Sequence, residues 1–250
     1  MKISFAVSST QGKRPDMQDF NVSVENLSRD NYLFLGVFDG HGGAESAKLA
    51  SKILYQEAET NLNRGDKPQD ALKKAFVAVD QKAHQLGYDN GTTASALLLK
   101  DDSLFVAHVG DSRLAMEHEG QISQLTKDHI LTDPTEMQRY NSSNWFQNKS
   151  REISKGQIKG FRLIAVSRSL GDPFFEDAIS PVPDVSKIKL QESTKIIMAS
   201  DGLWNWIGND DAFKTIQNTK TPPEASATLV QEALAKGSTD NITVAILYIS

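Results

Sequence analysis

The apolar residues of the chain change their spacing several times, and each spacing predicts a different kind of element. The nearly unbroken apolar run Tyr32–Phe38 is typical of a strand that is buried on both faces. Apolar positions recur at helical spacing in 44–63 and again in 68–87, where Pro68 begins the helix and Gly87 ends it. We predict further strands at 3–9, 20–25, 92–100, 103–110, 112–120, 121–126, 162–169, 185–190, 194–200 and 241–249.

The order of these elements indicates the fold class. Two more helices are predicted at 210–218 and 223–236, just before the last strand. Runs of strands separated by pairs of helices indicate an α+β fold rather than alternating βαβ units. Between 133 and 159 the chain is polar and is predicted to be a loop, most clearly at 141–159. No change in composition divides the 250 residues, so we expect a single domain that spans 1–250.

Composition narrows the classes of function. The net charge of −5 gives no support for a nucleic-acid partner, which would require a basic face. The chain has no cysteine, which excludes a disulfide framework, a thiolate zinc site and a cysteine nucleophile. It has no run of ~18 apolar residues, and its first apolar stretch is too short for a signal peptide. We therefore expect a cytoplasmic monomer that binds neither nucleic acid nor membrane.

Four aspartates each border an apolar strand: Asp39 follows LFLGVF, Asp111 follows LFVAHVG, Asp201 follows KIIMAS and Asp240 precedes NITVAILYI. A single aspartate at a strand end is usually part of a turn, but four at one edge of the sheets would bring their carboxylates together. Carboxylates a few ångströms apart repel each other unless a cation lies between them, and oxygen-only ligands suit Mg²⁺ or Mn²⁺. Two such ions ~3.5–4 Å apart can activate a water and hold a phosphoryl group for in-line attack.

An arginine and a histidine accompany the aspartates. Arg14 lies in the turn GKRPDMQD, from which a guanidinium could hold phosphate oxygens with two hydrogen bonds. His41 follows Asp39 in the glycine-rich segment DGHGG, where it could protonate a leaving oxygen as a general acid. Arg14 taken alone would be interpreted as a solvated surface charge. A single histidine is more often structural, but the neighbouring Asp39 favours a chemical role for His41.

Eight short segments complete the pattern: GKRPDMQD, VFDGHGG, GTTAS, VGDSR, KDHI, AVSRSLGD, ASDGLWN and STDNITV. In this order, and spread from Gly12 to the C-terminus, they resemble the metal-dependent protein serine/threonine phosphatases of type 2C, the PPM family. The resemblance implies a central antiparallel β-sandwich flanked by pairs of α-helices, in four αββα layers. It also implies an Mg²⁺- or Mn²⁺-dependent hydrolase that acts on phosphoserine and phosphothreonine in phosphorylated proteins. The nucleophile would be a metal-activated water, without a phosphoenzyme.

The resemblance further implies how the metal ions would be held. Asp39 would bridge two ions, and the Gly40 carbonyl would bind one of them. Asp201 and Asp240 would bind the other ion. Asp19 would lie in the outer shell and hold a metal-bound water.

Three further residues have implied roles, and two depart from the family pattern. Asp111 would help to hold a third, weaker ion, whereas Arg14 would bind the substrate phosphate and His41 would act as general acid. Gln18 stands where the family usually carries a glutamate, and Asn205 where an aspartate often supports the third ion. An amide lacks the charge that draws Mg²⁺, so Asn205 weakens the case for a third ion.

Other functions compete with this interpretation. The segment 110–113, GDSR, resembles the nucleophile motif of GDS-type esterases, but the last histidine is His129 and no late Asp-x-x-His pair follows. Gln18 and Asn205 leave open a pseudophosphatase that uses the same fold as a regulated binding module. The predicted loop carries the basic residues Lys149, Arg151, Lys155 and Lys159. It either attracts acidic or phosphorylated substrates or is a solvated insertion.

Overall fold

The computed structural model describes residues 2–154 and 164–250. The strands are β1 (Ile3–Thr10), β2 (Asp19–Leu27), β3 (Tyr32–His41), β4 (Gly91–Thr92), β5 (Ala94–Lys100), β6 (Ser103–Val109), β7 (Arg113–His118), β8 (Gln121–Gln124), β9 (Leu170–Gly171), β10 (Asp184–Lys189), β11 (Thr194–Ala199) and β12 (Ile242–Ile249). The helices are α1 (Glu45–Asn63), α2 (Pro68–Gln85), α3 (Pro134–Ser142), α4 (Asn144–Ser154), α5 (Asp201–Trp204), α6 (Asn209–Ile216) and α7 (Pro222–Ala235), and a 3₁₀ segment occupies Pro173–Ala178.

The named strands form two sheets in which every pair is antiparallel. One sheet has the order β1-β12-β11-β7-β8, and the other has the order β10-β6-β5-β3-β4-β9, with β2 paired to β3. The two faces that meet between the sheets carry apolar side chains, among them Leu35, Val37, Leu97, Ile196, Met198 and Leu247. Because these strands bury both faces, their sequences are nearly continuous apolar runs.

Helices cover the outer face of each sheet. The apolar side of α1 and α2 packs on the sheet that contains β3, through residues such as Leu54, Leu72 and Phe76. On the other side, α6 and α7 pack on β11 and β12 through Phe213 and Leu229. The fold is thus an α+β sandwich with helix layers outside two sheets, and the predicted class is confirmed.

The loop predicted at 141–159 is wrong over its described part, which is helical. Asp133 caps α3, because its Oδ1 accepts hydrogen bonds from the backbone N–H groups of Thr135 (3.0 Å) and Glu136 (3.2 Å). Trp145 of α4 packs against Phe175, with ring centroids 5.2 Å apart. Such contacts between aromatic rings stabilise helices that the polar composition of this segment does not predict. Residues 155–159, which include Lys155 and Lys159, lie outside the described residues.

The strand predicted at 162–169 also differs from the structure. In its described part, 164–169, there are only isolated bridges, one of which joins Val166 to Ile130. The N–H of Ser167 donates to the carbonyl of His129 (2.9 Å), so this segment pairs with a loop rather than with a sheet edge. This pairing affects the functional region of the protein, because residues 164–166 form one wall of the cleft described in the next subsection.

Candidate active site

The ends of several strands meet at one edge of the sandwich and bring the predicted aspartates together. Asp19 begins β2 and lies directly opposite Asp39 of β3. Asp201 follows β11, and Asp240 precedes the neighbouring β12. Asp111 follows β6, and all of these except Asp19 line a cleft of about 350 Å³. Asp19 lies beneath it and is 3% exposed.

The backbone around Asp39 is tightly held. The N–H of Asp39 donates to Thr93 Oγ1 (3.2 Å), and the N–H of Thr93 donates to the carbonyl of Asp39 (2.9 Å). A Cβ atom on Gly40 would lie 2.7 Å from the carbonyl oxygen of Gln18. Glycine at this position therefore lets β2 and β3 approach closely enough to place Asp19 against Asp39.

Asp19 carries an unpaired buried oxygen. Its Oδ2 accepts a hydrogen bond from Ser200 Oγ (2.7 Å), but its Oδ1 is buried and has no hydrogen-bond partner among the residues that the structure describes. Burial, together with repulsion from Asp201 and Asp240, raises the pKa of Asp19 to about 6. A buried carboxylate oxygen without a partner is unfavourable, and a nearby cation would remove the penalty.

The neighbouring carboxylates repel one another as well. Burial raises the pKa of Asp39 well above its usual value, and repulsion from Asp19 and Asp201 adds to this effect. Burial and the charge of Asp201 raise the pKa of Asp111 to about 7. Burial also raises the pKa of Asp201, and repulsion from Asp240 adds to this effect. An oxygen-only, acidic donor set with an orphaned oxygen fits Mg²⁺ or Mn²⁺.

Arg14 lies at the mouth of the cleft in a turn that Asn241 holds in place. Its Nη2 atom is 2.7 Å from Asp240 Oδ2, and this hydrogen bond raises the pKa of the guanidinium. The Asn241 amide Nδ2 donates to the carbonyl of Gln11 (2.7 Å) and its Oδ1 accepts the N–H of Gln18 (2.7 Å). The turn is thereby attached to the start of β12, the strand that follows Asp240.

His41 contacts an aspartate that the sequence analysis did not single out. The Nε2 atom of His41 lies 2.7 Å from Asp172 Oδ2, and Asp172 is 6% exposed. Asp172 follows β9, and its only signal in the sequence is its place at the end of the segment AVSRSLGD. The histidine ring is 33% exposed and lines the cleft.

The two positions that depart from the family pattern also face this region. The Asn205 amide Nδ2 donates a hydrogen bond to Asp201 Oδ2 (3.0 Å). It therefore orients one aspartate without adding a negative charge. Gln18 lines the cleft between the arginine turn and Asp39.

Another group of potential ligands in the described residues consists of His108, His129 and Asp184, on and beside β6 and β10. Asp184 already accepts hydrogen bonds from His129 Nε2 (3.1 Å) and Arg168 Nη1 (2.8 Å). The two imidazole rings are stacked at 4.4 Å with planes 5° apart, so their in-plane lone pairs run side by side and do not converge. We assign no metal ion to this group. Its hydrogen bonds instead connect β10 to the segments that carry His129 and Arg168.

The fold and the acidic cleft define a class of protein, namely metal-dependent hydrolases built on a two-sheet sandwich. The family model for Protein phosphatase 2C matches residues 3–242, so the chain belongs to that family. Its members are metal-dependent protein phosphatases that use Mn²⁺ or Mg²⁺ and act on phosphorylated proteins, which confirms the predicted family and enzyme class.

Individual relatives agree with the family assignment. Protein phosphatase 2C homolog 1 of Saccharomyces cerevisiae is 32% identical over 99% of this chain and 93% of the yeast protein. A solved serine-threonine phosphatase 2C from Toxoplasma gondii matches 98% of this chain and 94% of its own, with a TM-score of 0.79 and 23% identity. The catalytic domain of the phosphatase PstP, solved with two manganese ions, matches 99% and 98%, with a TM-score of 0.67 and 20% identity. At these identities the two structures are evidence of the fold alone.

None of the described helices has the length and apolar character that a membrane crossing requires.

Proposed function

We propose that the chain is an Mg²⁺- or Mn²⁺-dependent protein serine/threonine phosphatase that hydrolyses phosphoserine and phosphothreonine by direct attack of water, without a phosphoenzyme. The observation that carries this proposal is the cluster of buried carboxylates around the unpaired Oδ1 of Asp19. The absence of cysteine agrees with it, because no thiolate can form a covalent intermediate.

The aspartate cluster would hold two divalent cations. Asp39 and the carbonyl of Gly40 would bind on the β3 side, and Asp201 and Asp240 would bind on the side of β11 and β12. Asp19 would support them from below through its free oxygen. Divalent cations held there supply Lewis acidity, which makes water nucleophilic at neutral pH and balances the charge of a phosphoryl group.

A third ion near Asp111 is less well supported by the side chains. Asp111 faces Asp201 across the cleft, which raises its pKa, but Asn205 offers an amide donor to Asp201. A donor N–H cannot bind a cation, so we expect two ions at this centre and only weak binding near Asp111.

Arg14 and His41 would act on the substrate. The Arg14 side chain is 57% exposed at the cleft mouth, where its guanidinium can donate hydrogen bonds to two phosphate oxygens in place of Asp240. His41 has its Nε2 engaged by Asp172, so Nδ1 is the nitrogen that can donate a proton to the leaving oxygen of serine or threonine.

Hydrolysis of a phosphothreonine peptide tests the proposal directly. We expect turnover with Mn²⁺ or Mg²⁺ and none after chelation with EDTA, because the carboxylates alone offer no nucleophile. Readdition of the metal should restore the rate. Activity that survives chelation would contradict the metal mechanism. A rate no higher than that of Asp39→Asn would instead favour the pseudophosphatase, a binding module on the same fold.

Substitution of Arg14 by alanine is expected to raise KM for the peptide about 10-fold or more, with a smaller change in kcat, since charge-assisted hydrogen bonds to phosphate are lost. The matched control is Lys13→Ala, which removes the adjacent exposed cation, one that does not line the cleft. Steady-state kinetics measure both. An unchanged KM for Arg14→Ala would show that the guanidinium does not bind the phosphate.

A further inference from the structure

The paired strands β3, β4 and β9 bring His41 and Asp172 to either side of one glycine. His41 of β3 is paired with Gly91 of β4, and Gly91 is paired with Gly171 of β9. A Cβ atom on Gly91 would lie 2.0 Å from Asp172 Oδ2 and 2.5 Å from His41 Nε2. The histidine and the aspartate therefore meet across Gly91 only because this residue has no side chain.

Asp172 is held rigidly in this position. Its backbone is in the left-handed region (φ 56°, ψ 50°), a conformation that few non-glycine residues adopt. Its N–H donates to the carbonyl of Asn90 (3.1 Å), and the same Oδ2 that contacts His41 accepts a hydrogen bond from Ser169 Oγ. A buried carboxylate held on a strained backbone indicates that its oxygen has a specific role.

Helix α2 fixes the residue before Asp172 as well. The N–H of Gly171 donates to Asp80 Oδ1 (2.9 Å), and His84 Nε2 lies 3.0 Å from the Gly171 carbonyl. Asp80 is 8% exposed. Because these contacts hold both polar groups of Gly171, the position of Asp172 relative to His41 is set by the helix layer and not by the cleft alone.

We propose that Asp172 is the positioning residue for His41, and that Gly91 provides the space in which the two meet. The inference rests on the proposed function, in which His41 is the general acid. Asp172 accepts the Nε2–H of the ring, which fixes the ring orientation and leaves Nδ1 to carry the proton that is transferred.

The proton balance is consistent with this arrangement. His41 would begin as an imidazolium, with one proton on each ring nitrogen. As the P–O bond to the leaving group breaks, the Nδ1 proton moves to the leaving oxygen and its N–H electron pair stays on Nδ1. The ring then remains as the Nε2–H tautomer, which Asp172 still accepts. A later proton from water returns His41 to its starting state. Without the carboxylate, the ring is free to rotate or to adopt the other tautomer.

Asp172→Asn tests the role with two substrates that differ in their leaving groups. For phenyl phosphate, whose leaving group needs a proton, we expect kcat to fall about 10²-fold with KM unchanged. For p-nitrophenyl phosphate, whose leaving group is a stable anion, we expect a loss of less than about 3-fold, since general acid catalysis contributes little there. His41→Ala should show the same pattern, and the double variant should be no slower than His41→Ala. The matched control is Glu176→Gln, which removes an exposed carboxylate nearby.

The other outcomes separate the possible failures. Wild-type kinetics for Asp172→Asn, beside an impaired His41→Ala, would overturn the inference and leave the proposed function intact. If Asp172→Asn lost the same factor on both substrates, and this factor multiplied with that of His41→Ala in the double variant, the role of Asp172 would be merely structural. That result would also overturn the inference. Wild-type kinetics for His41→Ala would overturn the assignment of His41 and the inference with it. A wild-type protein without metal-dependent turnover would overturn the proposed function itself.

A measurement on the wild-type protein keeps the inference testable if Asp172→Asn does not fold. Nitrogen-15 NMR of the histidine side chains in the Mg²⁺-loaded protein, with His41→Asn to assign the signals, reports which ring nitrogen carries a proton. We expect a proton on His41 Nε2. A ring protonated on Nδ1 alone would overturn the inference.

Discussion

Replacement of Asp201 by asparagine is expected to lower kcat for a phosphothreonine peptide by about 10³-fold or more, through loss of a metal ion. The charge of Asp201 raises the pKa of Asp19, Asp39 and Asp111, so its carboxylate lies close to the rest of the acidic cluster. An amide of the same shape preserves the packing but removes a negative ligand. Isothermal titration with Mn²⁺ should show fewer or weaker ions bound, and the circular dichroism spectrum should remain that of the wild type.

Asp210→Asn is the matched control for this substitution. Asp210 lies in the first turn of α6, is exposed, and does not line the cleft. Its replacement removes the same charge from the same part of the chain and should leave metal binding and kcat unchanged. Wild-type metal affinity in Asp201→Asn would contradict the assignment of Asp201 as a ligand, whatever its activity.

Relative to Asp111→Asn, the metal-free protein is expected to lose about 2 kcal/mol in the free energy of unfolding as the pH rises from about 5 to about 7. Burial raises the pKa of Asp111 to about 7, and burial also raises the pKa of Asp39 well above its usual range. In this pH range the folded state binds protons that the unfolded state has already lost, so the free energy of unfolding falls with rising pH. Burial lowers the pKa of His129 to about 4 and that of His108 as well, so these rings raise the stability with pH, but they do so in both proteins and cancel in the comparison with Asp111→Asn.

Thermal unfolding at several pH values, with EDTA and with Mn²⁺, measures this effect. Mn²⁺ should raise Tm more at pH 8.5 than at pH 7, because bound cations stabilise the ionised carboxylates. Asp111→Asn should flatten the dependence in EDTA, whereas Asp210→Asn should keep the wild-type dependence. If the metal-free protein did not lose stability relative to Asp111→Asn between pH 5 and pH 7, Asp111 would not be buried beside Asp201 as described.

Much of the fold follows from local patterns that the sequence displays. Strands such as β3 and β12 are apolar on both faces, and the buried side of α2 repeats at helical spacing, so their existence can be predicted without knowing their neighbours. The helices α3 and α4 could not be predicted in this way. Their burial depends on Phe175, which follows about 30 residues later, and their polar composition resembles that of a loop.

The residues of the candidate site also differ in whether the sequence could predict them. Asp39, Asp201 and Asp240 were expected to meet because each borders a buried strand, and a sheet brings strand ends to a common edge. The partner of His41 gave no such signal. Asp172 follows a strand of only two residues, and nothing in its segment shows that this strand pairs with Gly91.

The sequence by itself determined the family, the sandwich and the aspartates that meet at one edge of it, because these depend on motif order and on the apolar character of single elements. Only the tertiary structure decided which oxygen of Asp19 is left unpaired, which nitrogen of His41 is engaged, and that an asparagine donates to Asp201. Those features arise from atoms that are distant in the chain and meet within a few ångströms. Hydrogen bonds and charge repulsion depend on such distances, which no local pattern of residues records.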